Sequence, residues 1–309
     1  MTERARQLRF GAFVPQGWKL EYTGVGAADA WERSKEIAGI AERVGYDHLW
    51  VYDHVETVPR REPTHVFEAF TMLAAIAQHT STIRLGQLVT CSSYRNAGLL
   101  AKEAACVDVY SGGRLILGLG GGYSDDEFRA LGLRVPSPRD KVDGLGEAIQ
   151  IARGLWTHPR FTFDGRLYHT DAADIEPKPG HHIPIWLGTF GDRALALTGR
   201  LADGWIPSLG LASPDRIPAM RARILAGADA AGRPPEAITC AYNLGIRVDE
   251  KAAPEDGAVI GPPDAVSEQL IGFTRLGFTA FNFQPVGPDR AEQIERLANE
   301  VVPVVRAAI

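Results

Sequence analysis

Short apolar runs rich in β-forming residues alternate with longer stretches whose apolar residues recur at helical spacing, and the alternation continues along the whole chain. The first run is Leu8–Val14. A helix pattern follows over Trp31–Val44, with Ile37, Ile40, Ala41 and Val44 on one face and Gly45 as its stop. The next runs are His48–Val55, Ile83–Thr90 and Arg114–Leu119. Between them lie helix patterns over Thr64–His79 and after Asn96, which has the chemistry of an N-cap. A short helix is predicted over Ser124–Leu131 and a long amphipathic one over Pro138–Thr157. Pro184–Gly188, Trp205–Pro207, Thr239–Val248 and Ala280–Gln284 complete the strands. Their helices are expected over Asp192–Ala202, Pro214–Ala231, Pro263–Leu276 and Arg290–Ala308.

The pattern therefore counts eight strand-then-helix units. Parallel strands need crossover connections, which helices supply. Eight such units in a chain of 309 residues match the arithmetic of a (β/α)8 TIM barrel; a doubly wound open sheet is the alternative. The expectation is one α/β domain over residues 1–309. Two regions interrupt the repeat, about 123–137 and 158–183, and are expected to lie as insertions over the C-terminal mouth.

Composition narrows the function classes. A hydrophobic content of 45% and a net charge of -5 describe an ordinary globular chain without the basic excess that nucleic-acid binding requires. Cys91, Cys106 and Cys240 are few and widely spaced, which argues against a disulfide framework or a cysteine zinc site. Met1–Arg9 is polar, and no stretch approaches the ~18 apolar residues of a membrane span. A cytoplasmic protein with no membrane or nucleic-acid partner is expected.

Barrel active sites lie at the C-terminal ends of the strands. The residues there include Asp53-His54, Thr90-Cys91, Gly120-Gly121-Gly122-Tyr123, Gly188-Thr189, Asn243 and Gln284. This set is polar, glycine-rich and mostly uncharged, which suits a large planar organic cofactor better than a metal cluster. His54 can carry a proton near neutral pH, with Asp53 expected to orient it, or it can simply satisfy backbone groups. The glycine run 120–122 permits close backbone approach, or makes a tight turn. Gly188-Thr189-Phe190-Gly191 leads into a helix start, where free N–H groups favour an anion; Asp192 is alternatively only an N-cap. Cys91 is a nucleophile or a buried apolar residue. His181-His182 is a weak metal-ligand pair. No nucleophile elbow, zinc-protease motif or P-loop is present.

These pieces together resemble the bacterial luciferase-like flavin and deazaflavin oxidoreductases, in particular their F420-dependent branch. The resemblance is carried by Tyr46–His54, Ile83–Lys102, Ser111–Gly122, Pro184–Gly188, Phe163-Asp164-Gly165 with Tyr168, and Ala202–Trp205. It implies a cofactor ring over the second to fourth strands, with Asp53 and His54 beside it and His54 as proton donor or ring contact. It implies a non-proline cis peptide at Leu88-Val89, so that Leu88, Val89 and Thr90 abut the ring. Gly120, Gly121 and Gly122 are implied to approach the ring or ribityl chain, and Gly188, Thr189, Phe190 and Gly191 to hold the phosphate. Sugar-phosphate dehydrogenases of this kind carry an acid and a tryptophan where this chain has Tyr123 and Val58, which disfavours glucose 6-phosphate. Glu56 and Glu127 receive no role. The implied activity is hydride transfer between coenzyme F420 and a small organic substrate, by an enzyme that is often a homodimer. The alternatives are an FMN-dependent two-component monooxygenase, a non-catalytic flavin-binding relative and a metal-dependent barrel hydrolase.

Overall fold

Eight parallel strands close on themselves. A computed structural model describes residues 8–252 and 256–309; the stretch 1–7 of the polar N-terminus lies outside the described residues. The barrel strands are β1 (Arg9–Phe13), β2 (His48–Val51), β3 (Arg84–Gln87), β4 (Leu115–Gly120), β5 (Ile185–Leu187), β6 (Gly204–Trp205), β7 (Thr239–Val248) and β8 (Ala280–Pro285). Each pairs with the next, β6 joins β7 at Thr239–Gly204, and β8 returns to β1 with Arg9 opposite Ala280. The fold is the expected (β/α)8 barrel, not an open sheet.

Large side chains fill the barrel, and glycines on neighbouring strands make room for them. The fully buried Trp50 ring occupies the axis, where a Cβ at either Gly11 or Gly86 would collide with it. Trp50 Nε1 donates to Asn282 Oδ1 (2.8 Å), and Asn282 Nδ2 donates to Asn243 Oδ1 (2.8 Å), so these three polar side chains satisfy one another. Outside, the helices lay their apolar stripes on the strands. They include α1 (Ala27–Arg43), α2 (Ala69–His79), α3 (Ala97–Tyr110), α4 (Asp125–Ala130), α5 (Pro138–Thr157) and α6 (Asp192–Leu201). Asn96 caps α3 through the amides of Gly98 and Leu99.

Four expectations of local structure change. Helix α2 begins at Ala69, not Thr64, because the Phe67 amide donates to the Gln16 carbonyl and Glu68 caps the helix instead. The third strand breaks after Gln87. Leu88-Val89 is a cis peptide, and Thr90–Cys91 resumes pairing beside β4. Part of the 158–183 insertion is a hairpin, Phe161–Asp164 with His169–Ala173. Glu147 pins its turn by accepting the amides of Arg166, Leu167 and Tyr168, each at 2.9 Å. The last helix is not continuous: a π-helical turn at Leu297–Val301 separates Arg290–Arg296 from Val302–Ala307. Pro303 explains it, since proline has no N–H to donate and its ring displaces the carbonyl four residues back.

Candidate active site

The C-terminal mouth holds a cavity of about 900 Å³. That is at the upper end of the range for small-molecule sites. Its two sides are built differently. On one side Gly120, Gly121, Gly122 and Gly188 present bare backbone around Val89. A Cβ on Gly120 would stand 2.6 Å from Val89 Cγ2, and one on Gly188 3.1 Å from Val89 Cγ1. Gly122 has φ +97°, and a Cβ there would press on Cys91 and Phe128. On the other side stand Trp18, Tyr52, Lys19, Gln284 and Arg290. The Lys19 ammonium donates to Gln284 Oε1 (2.7 Å) and lies over the Trp18 ring. Burial lowers its pKa, and Arg290 adds to the effect while Glu21 opposes it.

His54 borders this cavity in a fixed pose. Its Nδ1 is 2.7 Å from Glu127 Oε2, and the Trp18 ring stacks on it at 4.1 Å with an interplanar angle of 4°. Glu127 is itself buried. It accepts the amides of Val55 (2.7 Å) and Glu56 (3.2 Å) and the Tyr94 hydroxyl (3.0 Å). Burial alone would raise its pKa, but the hydrogen bonds from His54 and the two amides outweigh that and hold it below the usual carboxylate range. Glu127 is carried by the short helix α4, whose N-cap Ser124 accepts the Glu127 amide. Nδ1 is thus committed to a carboxylate and Nε2 is left for a ligand.

Asp53 does not orient His54. Its carboxylate takes both terminal nitrogens of Arg95 (2.6 and 2.8 Å) and the Cys91 amide (3.0 Å). Consecutive residues of an extended chain face opposite sides, so Asp53 turns toward the segment after β3 while His54 turns toward α4. The acid that orients His54 is Glu127, at a place to which the sequence reading gave no role. Its signal was faint, because nothing in the pattern says that the loop after β4 folds back onto the end of β2.

The remaining expected residues divide. Leu88, Val89 and Phe190 line the cavity with the four glycines. Thr90 and Thr189 are buried and do not line it; the Thr189 hydroxyl bonds Thr198 Oγ1 (2.7 Å). Gly191 is the N-cap of α6, and no side chain caps that helix. Burial pushes the Cys91 thiol up to about 12, which keeps it protonated and unsuited to nucleophilic attack. His181 and His182 diverge to different carboxylates, Asp108 (3.0 Å) and Asp203 (2.9 Å). Among the described residues no cluster of ligating side chains could hold a metal ion. No helix among them is long and apolar enough to cross a membrane.

The model of the family described as luciferase-like monooxygenase matches residues 8–254. The chain belongs to that family. This luciferase-like chain is 30% identical to the 5,10-methylenetetrahydromethanopterin reductase of Methanolobus tindarius, over 75% of its own length and 69% of the relative's. It is 27% identical to the F420-dependent glucose-6-phosphate dehydrogenase of Nakamurella multipartita, over 89% and 92% of the two chains. Among solved structures, it superposes on an F420-dependent secondary alcohol dehydrogenase in complex with an F420-acetone adduct. The TM-score is 0.83 at 21% identity, and the match covers 97% of this chain and 99% of that one. At that identity the likeness concerns the fold. The glycine side suits a flat ring: bare backbone at Gly120, Gly121, Gly122 and Gly188 lines a cavity whose volume accommodates a tricyclic cofactor, and a Cβ at Gly120, Gly121 or Gly122 would collide with Val89, Lys141, or Cys91 and Phe128.

Proposed function

We propose that this chain is an F420-dependent oxidoreductase that transfers a hydride between the deazaflavin and a small organic substrate. The observation that carries the reading is His54 at the cavity edge, held through Nδ1 by a buried carboxylate and stacked by Trp18. Gly120, Gly121, Gly122 and Gly188, with Val89 between them, would hold the ring. Gly188–Gly191 and the uncapped start of α6 would take the phosphate through backbone N–H groups. Bound there, F420 supplies the hydride chemistry at C5 of its ring.

The chain's own groups do the rest. Glu127 and Trp18 hold the imidazole in one plane, so that Nε2 faces the substrate space. His54 gives or takes a proton at Nε2, and the Glu127 carboxylate balances the charge that appears on the ring. Trp18 and Tyr52 offer aromatic faces that exclude water from one side of the substrate. The reading extends to a single barrel domain, a reducing cytoplasmic setting and a homodimer. The three free cysteines fit such a setting, and the exposed Leu99, Val109 and Tyr110 of α3 offer the apolar surface that a dimer would cover.

Titration of the purified chain with F420 and FMN side by side tests this. Saturable F420 binding at least ~10-fold tighter than FMN is expected, a difference of about 1.4 kcal/mol. Tighter FMN binding would replace the reading with the FMN-dependent monooxygenase.

A further inference from the structure

The opposite, N-terminal mouth of the barrel carries chemistry that the proposed reaction does not use. Arg9, His48 and Arg84 open β1, β2 and β3 and line a second cavity of about 490 Å³. His48 and Arg84 are register partners on adjacent strands, and Arg9 stands two residues before Gly11, the partner of His48 on the other side. Adjacent parallel strands run ~4.8 Å apart, so the three side chains start close together. His48 is 1% exposed and packs on the Trp50 and Trp186 rings, and among the described residues neither of its ring nitrogens has a hydrogen-bond partner. No carboxylate among the described residues lies within 4.0 Å of either guanidinium as an ion pair.

The acids nearby among the described residues are already engaged, Asp108 by His181 (3.0 Å). Asp47 also lines the cavity, but it accepts the Phe10 amide (2.8 Å) and lies 3.3 Å from Arg306. Glu42, beside it, is occupied by the amides of Ser81, Thr82 and Ile83. The Tyr46 hydroxyl donates to the Ile294 carbonyl (3.1 Å). Two guanidiniums without an ion-pair partner among the described residues repel one another from neighbouring strands: Arg84 is held below the ordinary arginine pKa by burial first and by the charge of Arg9 second, while the Asp108 carboxylate opposes both. Water could satisfy the ring nitrogens of His48 but would not offset that charge.

We propose that Arg9, Arg84 and His48 form a binding site for a tetrahedral oxyanion of the phosphate class, at the end of the barrel away from the active site. Two guanidinium forks and one imidazole N–H supply donors from three directions, which suits a tetrahedral anion better than a planar carboxylate. The anion neutralises the two arginines and gives the orphaned imidazole a partner. It spans β1, β2 and β3 and so ties their N-terminal ends together.

The test is NMR of the full chain labelled with 15N at histidine, titrated with inorganic phosphate at constant ionic strength, with chloride as balancing salt. His48→Phe assigns the ring resonances. They are expected to move saturably with phosphate, and Arg9→Gln and Arg84→Gln are each expected to raise the Kd at least ~10-fold. Arg84→Lys, which keeps the charge but loses the fork, is expected to weaken binding as well and serves if the glutamine variants fold poorly. A parallel titration with phenyl phosphate separates the sources: a response to both probes assigns a phosphate-ester head, and a response to phosphate alone assigns the free ion. Phosphate bound only at the active-site mouth would leave His48 unmoved. An unmoved His48, or an unchanged Kd in every arginine variant, overturns the proposal.

Discussion

His48 opens β2 and His54 lies in the segment just beyond its C-terminal end, six residues on, and the two have opposite surroundings. His48 packs on two tryptophans with neither nitrogen partnered among the described residues, and burial pushes its pKa down to about 3. His54 has one nitrogen fixed by Glu127, one ring face covered by Trp18, and a large cavity in front. The residue type is the same; what differs is whether a carboxylate stands behind the ring. A histidine becomes a directed proton carrier when one nitrogen is committed and the other is free. Burial alone keeps it neutral, able to hold a hydrogen bond but not to carry a proton near neutral pH.

Five substitutions test this contrast. His54→Ala should lower kcat by roughly 1000-fold, about 4 kcal/mol, while His48→Leu should leave it within about twofold. Steady-state turnover on both variants checks this, and equal losses would erase the distinction. Next, Arg95→Leu should destabilise the fold by about 3 kcal/mol in chemical denaturation, because it strands the buried Asp53 together with Glu68 and Glu103, which share that guanidinium. The strut beneath His54 would thereby be distinguished from the group that supports its chemistry.

Glu127→Gln should cost roughly 10-fold in kcat, about 1.4 kcal/mol, with cofactor affinity retained. Glu127 is held below the ordinary carboxylate pKa. The stability it contributes is therefore fully present above the unfolded value, about 4.3. It is lost as pH falls through the lowered folded value, so the stability gap between wild type and variant should close in acid.

Glu42→Gln acts at the His48 end and should have the smallest effect, about 1 kcal/mol at neutral pH after allowance for solvent screening. Burial alone would raise the Glu42 pKa, but hydrogen bonds from the amides of Thr82, Ile83 and Ser81 bring it to about 2. The loss should be constant above about pH 5 and vanish as pH falls toward 2. Turnover should not change, since the residue is remote from the cavity.

Much of this was legible in the sequence because it is encoded locally. The strand-helix alternation gave all eight units, and Asn96 and Gly45 marked real helix ends. The glycine run and His54 could be read because strand ends are where barrel chemistry collects. What was not legible depends on distant contacts. Glu127 reaches His54 across 73 positions, and no local pattern records that pairing. The start of α2 was misplaced because a backbone bond to Gln16 overrides helical spacing at Phe67. The hairpin over Phe161–Ala173 did leave a signal, the alternation Phe161-Thr162-Phe163-Asp164, which the glycine and proline content of the region obscured. The pairing of Asp53 with His54 was misjudged from adjacency, which in extended chain places side chains apart.

The proposed function places two-electron chemistry on a deazaflavin at this mouth. The most direct measurement is the anaerobic oxidation of reduced F420 by the chain in the presence of a panel of small carbonyl and enone acceptors, repeated in air. Acceptor-dependent oxidation that is indifferent to oxygen and is lost in His54→Ala is expected. Turnover that requires both oxygen and reduced FMN, with F420 left untouched, would contradict it.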